Sequence, residues 1–121
     1  AKWLQKQPRV QYVLYPGLEN HPGYEINKAQ TTGFGGMISF AVDNAETARQ
    51  ILEGVKLIKF AESLGGTESL ITYPIRQTHT DLTAEECAEK GITDCLLRFS
   101  TGIEATQDLI DDLAQAFAAV E

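Results

Sequence analysis

Cysteine and histidine are scarce in this sequence, with two of each among 121 residues. Cys87 and Cys95 lack the paired spacing of a zinc site or a disulfide framework, so both are predicted to be ordinary thiols. His21 and His79 are isolated, and neither has the i, i+4 partner or the neighbouring carboxylate that metal binding usually requires. The sequence therefore predicts no metal site.

Positive charge and long apolar runs are also in short supply. Ten Lys and Arg face seventeen Asp and Glu, giving a net charge of -7, which argues against nucleic acid or an anionic membrane as the main partner. The longest apolar stretches fall far short of the roughly 18 to 20 residues that span a bilayer. No charged-then-apolar signal segment opens the chain. We therefore expect no nucleic-acid or membrane partner and a cytoplasmic location.

The hydrophobic content of 43% suits a single domain with its own core. Alternating or β-branched patterns predict strands over 10–15, 37–42, 57–60, 68–73 and 95–100. Helices are predicted over 23–30, over 44–54 with a capping box of Asp43 and Glu46, and after a second capping box of Thr83 and Glu86. The apolar face of a final helix comprises Leu109, Ile110, Leu113, Ala116, Phe117 and Val120. This order of elements predicts an α+β fold, a small and mostly antiparallel sheet with helices on one face.

Arg98 stands alone within an apolar strand pattern, DCLLRFS. A guanidinium group stays charged at any working pH and presents parallel donors that match a carboxylate. A partly buried arginine of this kind needs an anionic partner, which is either a carboxylate of the same domain or the acidic group of a substrate. The strand pattern alone favours the internal ion pair and leaves the second interpretation open.

Two glycine-rich loops, Gly33-Phe34-Gly35-Gly36 and Ser63-Leu64-Gly65-Gly66, have neither the spacing nor the following helix of a P-loop or a dinucleotide fingerprint. Each runs toward a predicted strand. The glycines are therefore interpreted as turns and points of close backbone approach.

The sequence resembles the C-terminal domain of the Cys/Met-metabolism pyridoxal-phosphate (PLP) enzymes, and the resemblance extends from about residue 10 to residue 117. It is carried by YPGLENHPGYE, GFGGMISF, AESLGGTESLITYP, QTHTDL and GITDCLLRFSTGIEATQDLIDDLAQAF. This family includes cystathionine gamma-synthase, the cystathionine lyases, methionine gamma-lyase and the O-acylhomoserine sulfhydrylases. The resemblance implies that residues 1–121 are a single C-terminal domain of a larger enzyme of fold type I.

The resemblance implies a role for five residues. Arg98 matches the arginine that binds the substrate's α-carboxylate, and the Leu64 main chain lies near that carboxylate. Ser63 matches a catalytic serine that positions the amine of the cofactor-binding lysine. Thr78 matches a threonine at the edge of the substrate pocket, and Glu62 a glutamate that steers substrate preference. The alternatives are a turn serine for Ser63, a structural hydroxyl for Thr78 and a solvated loop charge for Glu62.

The same resemblance implies that PLP is bound by an N-terminal domain absent from this sequence. None of the six lysines stands in the expected Ser-x-Thr-Lys setting. Without the cofactor there is no electron sink, so these 121 residues alone are expected to be inactive. The implied partners are this N-terminal domain, an amino-acid substrate (O-acylhomoserine, cysteine or cystathionine) and further copies in a homotetramer.

Several functions stay open at this point. The phrases SLITYP and LLRFSTGIE, with Glu62, favour a cystathionine gamma-synthase or O-acylhomoserine thiol-lyase of methionine and cysteine biosynthesis. The alternatives are a cystathionine beta-lyase or gamma-lyase and, from another class, a stand-alone module that binds carboxylates without catalysis.

Overall fold

Five strands and four α-helices follow a short 3-10 helix, and the computed structural model describes all of residues 1–121. The 3-10 helix is Leu4–Lys6. The strands are β1 (Val10–Leu14), β2 (Met37–Val42), β3 (Lys59–Phe60), β4 (Leu70–Thr72) and β5 (Leu96–Ser100). The helices are α1 (Tyr24–Gln30), α2 (Ala45–Gly54), α3 (Ala84–Glu89) and α4 (Thr106–Ala118). Each predicted strand and helix is present, although β1, β3, β4 and β5 are shorter than predicted.

The strands form one sheet in the order β1-β2-β5-β4-β3. Neighbouring strands are antiparallel except for β3 and β4, which are parallel. This arrangement confirms the predicted α+β fold with a mostly antiparallel sheet. Strand β5, which carries Arg98, is hydrogen-bonded on both sides, so its backbone is fixed by two ladders.

The hydrophobic core lies on the sheet face that α2 and α4 cover. Because successive side chains of a strand point to opposite faces, every second residue of each long strand enters this core. Phe40 and Leu97 are fully buried partners on adjacent strands, and Phe99 lies beside them. The helices contribute Ala48, Ile51, Leu52, Leu109, Leu113 and Ala116.

Helices α2 and α4 approach each other closely at Gly54. A Cβ atom added to Gly54 would lie 3.1 Å from the Cβ atom of Ala116. Gly54 is the last residue of α2, as predicted, and Val55 follows in an extended conformation. The absence of a side chain at Gly54 therefore permits close packing of the two helices.

The two predicted capping boxes have different outcomes. The box of Thr83 and Glu86 is confirmed, because each side chain accepts a hydrogen bond from the other residue's backbone N–H. The box of Asp43 and Glu46 is wrong. Asn44 caps α2 instead, since its side-chain oxygen accepts a 2.8 Å hydrogen bond from the Thr47 N–H. Asn44 adopts the extended backbone of an N-cap, and amide and carboxylate side chains are equally good acceptors there.

A buried carboxylate fixes the chain between α2 and β3. Asp112 on α4 is 5% exposed, and it accepts three hydrogen bonds from consecutive backbone N–H groups. The donors are Lys56 at 2.9 Å, Leu57 at 3.0 Å and Ile58 at 2.9 Å. The sequence predicted an apolar face for this helix and did not predict a buried acid within it.

Helix α3 belongs to a second, smaller apolar cluster. Cys87 on α3 packs with Ile92 and with Leu96 of β5. Leu96 points to the opposite side of the sheet from Leu97, because neighbouring strand residues alternate. No helix in the structure has the length and apolar character needed to cross a membrane.

Candidate functional site

Arg98 lies in the middle of a row of side chains that crosses four strands. Leu14 of β1 pairs with Ser39 of β2, Ser39 pairs with Arg98 of β5, and Arg98 pairs with Thr72 of β4. All four are on the face away from the main core, because each neighbours a core residue along its strand. Leu14 is 46% exposed, Ser39 and Arg98 are half-buried, and Thr72 is buried. We call these four residues the open row.

The Arg98 guanidinium is held by two acceptors at one of its terminal nitrogens. Nη2 donates a 2.7 Å hydrogen bond to the Glu62 carbonyl and a 3.2 Å hydrogen bond to Thr72 Oγ1. The first acceptor belongs to the loop after β3, and the second belongs to the neighbouring strand. Both are uncharged, so neither neutralises the guanidinium.

Arg98 has no acidic partner within this chain. The ion pairs of the structure join Arg9 to Asp43 and Arg49 to Glu46 and Glu53. Arg98 Nε is buried and has no hydrogen-bond partner. A buried donor without an acceptor costs about 1–3 kcal/mol, so an acceptor arriving from outside the chain would be favoured. The internal ion pair, one of the two interpretations of Arg98, is therefore absent.

The loop over Arg98 is attached to the sheet at both of its ends. At one end, Thr72 Oγ1 donates a 2.7 Å hydrogen bond to the Ala61 carbonyl. At the other, the Gly65 N–H donates a 2.8 Å hydrogen bond to Ser100 Oγ. Gly65 has a φ of +74°, a left-handed conformation that glycine adopts without strain. These bonds hold the Glu62 carbonyl against the guanidinium.

Glu62, Ser63 and Leu64 form the exposed middle of this loop. Only the main chain of Glu62 contacts Arg98, and its side chain is exposed. The Leu64 side chain is 52% exposed although it is apolar. The structure thus brings these three predicted site residues to the edge of the open row, where their side chains are accessible.

Thr78 is the predicted site residue that the structure does not join to the others. It is exposed in the turn after β4, and its Oγ1 lies 2.7 Å from Nδ1 of His79. Its backbone N–H donates to the Pro74 carbonyl at 3.1 Å. No hydrogen bond links Thr78 to Arg98 or to the loop 61–65. Its predicted place at a pocket edge stays a prediction.

Sequence reasoning missed Thr72 and Ser100 as parts of the site. Both are buried hydroxyl residues on strands, at 1% and 2% exposure, and both hold the loop that covers Arg98. Their signal in the sequence is a small polar residue within an apolar strand pattern. Locating Thr72 also requires the register of β4 against β5, which the sequence does not specify.

A second set of hydrogen bonds ties the start of β4 to the segment after β5. Glu104 accepts hydrogen bonds from the Ser69 N–H and the Ser69 hydroxyl, each 2.8 Å long. Ser69 Oγ in turn accepts a 2.8 Å bond from the Gly102 N–H. The hydrogen bonds from Ser69 hold the pKa of the Glu104 carboxyl below its usual value. This network fixes the start of β4 to the segment after β5, next to the loop 61–65.

The two cysteines occupy unremarkable surroundings. Cys87 is buried in the smaller apolar cluster, and Cys95 is half-buried at the start of β5. Burial, followed by a hydrogen bond with Asp94, raises the pKa of the Cys95 thiol. A raised pKa disfavours the thiolate, the reactive form. The predicted ordinary character of these thiols agrees with this environment.

The lysines of this chain lie apart from the open row. A PLP enzyme binds its cofactor through a lysine that forms a Schiff base. All six lysine side chains are exposed, and Lys59 Nζ is bonded to the Lys56 carbonyl. None is hydrogen-bonded to the loop 61–65 or to Arg98. No lysine of this chain therefore lies within hydrogen-bonding distance of Arg98, where an acidic group could bind.

An apolar cavity of about 460 Å³ lies elsewhere, between the 3-10 helix, the β1–α1 loop and α4. Its lining includes Leu4, Ile38, Phe99 and Leu109. Ile38 and Phe99 are core-facing, so this cavity is on the opposite side of the sheet from Arg98. The cavity lacks a cationic group aimed at it from the sheet, and we assign the candidate site to the open row.

Comparison with known proteins gives consistent results. Residues 1–118 match the family model described as Cys/Met metabolism PLP-dependent enzyme. Cystathionine gamma-lyase of Bacillus subtilis is 49% identical over 96% of this chain and 31% of its own length. This chain therefore spans about three tenths of that relative.

Two solved structures resemble the protein closely. Cystathionine gamma-synthase of Xanthomonas oryzae, in complex with aminoacrylate and cysteine, has a TM-score of 0.92 and 43% identity. Cystathionine gamma-lyase of Lactobacillus plantarum, complexed with L-serine, also has a TM-score of 0.92, with 39% identity. Each comparison covers 98% of this chain and 31% of the other chain.

Proposed function

Because the chain belongs to the Cys/Met-metabolism PLP-dependent enzyme family, we propose that it is the C-terminal, substrate-binding domain of a trans-sulfuration enzyme. In this proposal Arg98 binds the α-carboxylate of an amino-acid substrate. The rest of the polypeptide binds PLP, which supplies the electron sink for the reaction. Residues 1–121 alone are inactive, since they lack the cofactor lysine.

The observation that carries the proposal is the unpaired charge of Arg98. The guanidinium is half-buried, its Nη2 is held by two uncharged acceptors, and its Nε has no partner. A carboxylate from a ligand would supply both the missing acceptor and the missing negative charge. Holding the substrate at one end fixes the orientation of the bond that reacts, which is a large part of catalysis.

The resemblance to the family suggests roles for the loop residues, and their accessible positions beside Arg98 support these roles. We propose that the exposed Ser63 hydroxyl positions the amine of the cofactor lysine and that the Leu64 main chain lies near the substrate carboxylate. We also propose that the Glu62 carboxylate, which is exposed, influences substrate preference. Thr78 is proposed as a residue at the edge of the substrate pocket.

The open row is proposed to face the rest of the polypeptide. Leu14 is 46% exposed on a strand, and its row leads directly to Arg98. This chain covers 31% of the related proteins, so more than two thirds of their length lies outside the matched region. An N-terminal domain seated on this row would shield Leu14 from water and complete the substrate site. The intact chains are proposed to assemble as a homotetramer.

For the reaction itself, Glu62 and the strand sequences favour a cystathionine gamma-synthase or O-acylhomoserine thiol-lyase, and the similarity to the Xanthomonas gamma-synthase supports this choice. A cystathionine gamma-lyase or beta-lyase is the second candidate, and the 49% identity to the Bacillus gamma-lyase favours the gamma-lyase. Assays of the full-length protein with O-acetyl-homoserine, O-succinyl-homoserine and cystathionine, side by side, separate these reactions.

The carboxylate role is tested with Arg98→Ala in the full-length protein. Hydrogen bonds to a charged group contribute about 1.5–3 kcal/mol, so kcat/KM should fall by roughly 10- to 150-fold. We expect a higher KM for the amino acid, a lower kcat and an unchanged absorbance band of the cofactor. Arg9→Ala is the matched control, because Arg9 is also a partly exposed arginine bonded to a threonine but pairs with Asp43. Unchanged kinetics of Arg98→Ala would contradict the proposed carboxylate role.

A further inference from the structure

Thr72 is a buried polar residue that contacts Arg98 from the neighbouring strand. It is 1% exposed, lies at the end of β4, and is the cross-strand partner of Arg98. Its Oγ1 is 3.2 Å from Arg98 Nη2 and 2.7 Å from the Ala61 carbonyl oxygen. The resemblance to known enzymes assigned no role to this residue.

The two hydrogen bonds of Thr72 fix the direction of its hydroxyl. A hydroxyl has one proton to donate and two lone pairs to accept with. The Ala61 carbonyl can only accept, so the Thr72 proton points to it, and the lone pairs remain for the Arg98 N–H. Thr72 therefore presents an acceptor to the guanidinium at a position that the sheet register determines.

This acceptor restricts a side chain that is otherwise flexible. An arginine side chain carries about 2 kcal/mol of rotamer entropy, which is lost when it binds a ligand in one geometry. The Thr72 hydroxyl on one strand and the Glu62 carbonyl in the loop together hold Nη2. Both acceptors belong to the chain itself, one in a loop bonded to the sheet and one on a strand, so they restrict the orientations open to the guanidinium. Nε is buried, has no acceptor in this chain and is left for a ligand.

We propose that Thr72 is a positioning residue for substrate binding, which acts through Arg98 and strengthens binding of the substrate carboxylate. This inference rests on the proposed function of Arg98. The proposed function concerns what Arg98 binds, whereas this inference concerns Thr72, the group that holds the guanidinium in its binding orientation. Thr72 itself does not contact the substrate.

The test is Thr72→Val in the full-length protein, together with Thr72→Ser. Valine has the shape of threonine and suits a strand, but it removes the acceptor for Nη2. The KM for the amino-acid substrate should rise roughly tenfold, as expected for loss of one hydrogen bond to a charged group. The kcat at saturating substrate should change less, by about twofold, since a bound substrate still pairs with Arg98. Thr72→Ser keeps the hydroxyl and should restore the original KM.

Two further measurements separate positioning from a general structural effect. Competitive inhibition is measured with L-alanine and with L-alaninamide, which lacks the negative charge. Thr72→Val should weaken inhibition by L-alanine roughly tenfold and leave inhibition by L-alaninamide within about twofold. In an Arg98→Ala background, adding Thr72→Val should have no further effect on the KM, because the group it positions is gone.

Thr47→Val is the matched control. Thr47 is also 1% exposed, and its Oγ1 accepts a hydrogen bond from Arg9 at 3.2 Å, the same geometry at a distant place on α2. Thr47→Val should leave the KM unchanged. If Thr72→Val does not yield folded protein, Thr72→Cys, whose sulfur is a weaker acceptor, takes its place and should also raise the KM.

The outcomes distinguish this inference from the proposed function. If Arg98→Ala raises the KM while Thr72→Val and Thr72→Cys do not, the positioning role is overturned and the carboxylate role stands. If Thr72→Val weakens inhibition by L-alanine and inhibition by L-alaninamide equally, the effect is structural, and the positioning role is again overturned. If Arg98→Ala itself has no effect, the proposed function fails first.

Discussion

The replacement Asp112→Asn tests how the protein holds the segment between α2 and β3. Asp112 Oδ1 accepts from the Lys56 N–H, and Oδ2 accepts from the N–H groups of Leu57 and Ile58. Oδ1 also lies 3.3 Å from Gln115 Nε2. Asparagine keeps only one acceptor oxygen, so its NH₂ group must face at least one of these donors. The best orientation keeps the bonds to Leu57 and Ile58.

The size of the effect follows from which donors water can reach. Lys56 is exposed, so its N–H can bond to water when the carboxylate is lost, whereas Ile58 is 1% exposed and its N–H cannot. We expect Asp112→Asn to lower the free energy of unfolding by about 2 kcal/mol, since a charge-assisted bond is worth about 1.5–3 kcal/mol. Asp112→Ala should cost about 4 kcal/mol, because it also leaves the Ile58 donor unpaired.

Urea unfolding of residues 1–121, followed by circular dichroism, measures these changes as shifts of the midpoint at constant slope. Asp111→Asn is the control. Asp111 is the adjacent residue of α4, but it is exposed and bonds only to Gln107. Its replacement should change the free energy of unfolding by less than about 0.5 kcal/mol. If Asp112→Asn changes the free energy of unfolding as little as Asp111→Asn does, the three hydrogen bonds from backbone N–H groups to Asp112 do not stabilise the fold as argued.

Two further predictions concern the segment after β5. Gly102→Ala should prevent correct folding, measured as loss of soluble protein, because its Cβ would overlap the Thr67 carbonyl oxygen, whereas Gly33→Ala should be tolerated because nothing lies within 4 Å. Glu104→Gln should make the free energy of unfolding depend less steeply on pH in acid. Hydrogen bonds from Ser69 depress the folded-state pKa of Glu104 below 4.5, so its stabilisation is complete above about pH 4.5 and is lost as the pH falls through the folded-state pKa. A parallel pH profile of wild type and Glu104→Gln would refute this reasoning.

Much of the fold was predictable because local patterns carry it. The strand at 37–42 alternates buried and partly exposed residues at its start, and the cap at Thr83 has its glutamate three residues later, so both follow from short-range spacing. The first cap was misassigned because Asp43 and Asn44 are both good acceptors, and only the backbone decides which one precedes the helix. Asp112 was missed because its donors lie more than 50 residues away.

The candidate site was predictable only in part. An arginine within an apolar strand pattern is easily recognised in the sequence. The resemblance to a family suggested its proposed role. The hydrogen bond between Arg98 and Thr72 was not predictable, because Thr72 lies opposite Arg98 only in the register that the folded sheet adopts. The sequence also could not tell whether one of the seventeen acidic residues neutralised Arg98, since that depends on contacts distant in the chain.

Arg98 lies on the rigid strand β5, whereas the residues beside it lie in the less constrained loop 61–65. An interior strand bonded on both sides cannot shift without breaking two ladders, whereas the neighbouring loop 61–65 is joined to the sheet by a few bonds and exposes three side chains. An engineer who wished to change the proposed substrate preference would leave Arg98 and Ser63 alone and vary the exposed residues Glu62 and Leu64. Changes at these two exposed positions should cost little folding stability, and, if Arg98 binds the carboxylate as proposed, they would leave untouched the group that all amino acids share.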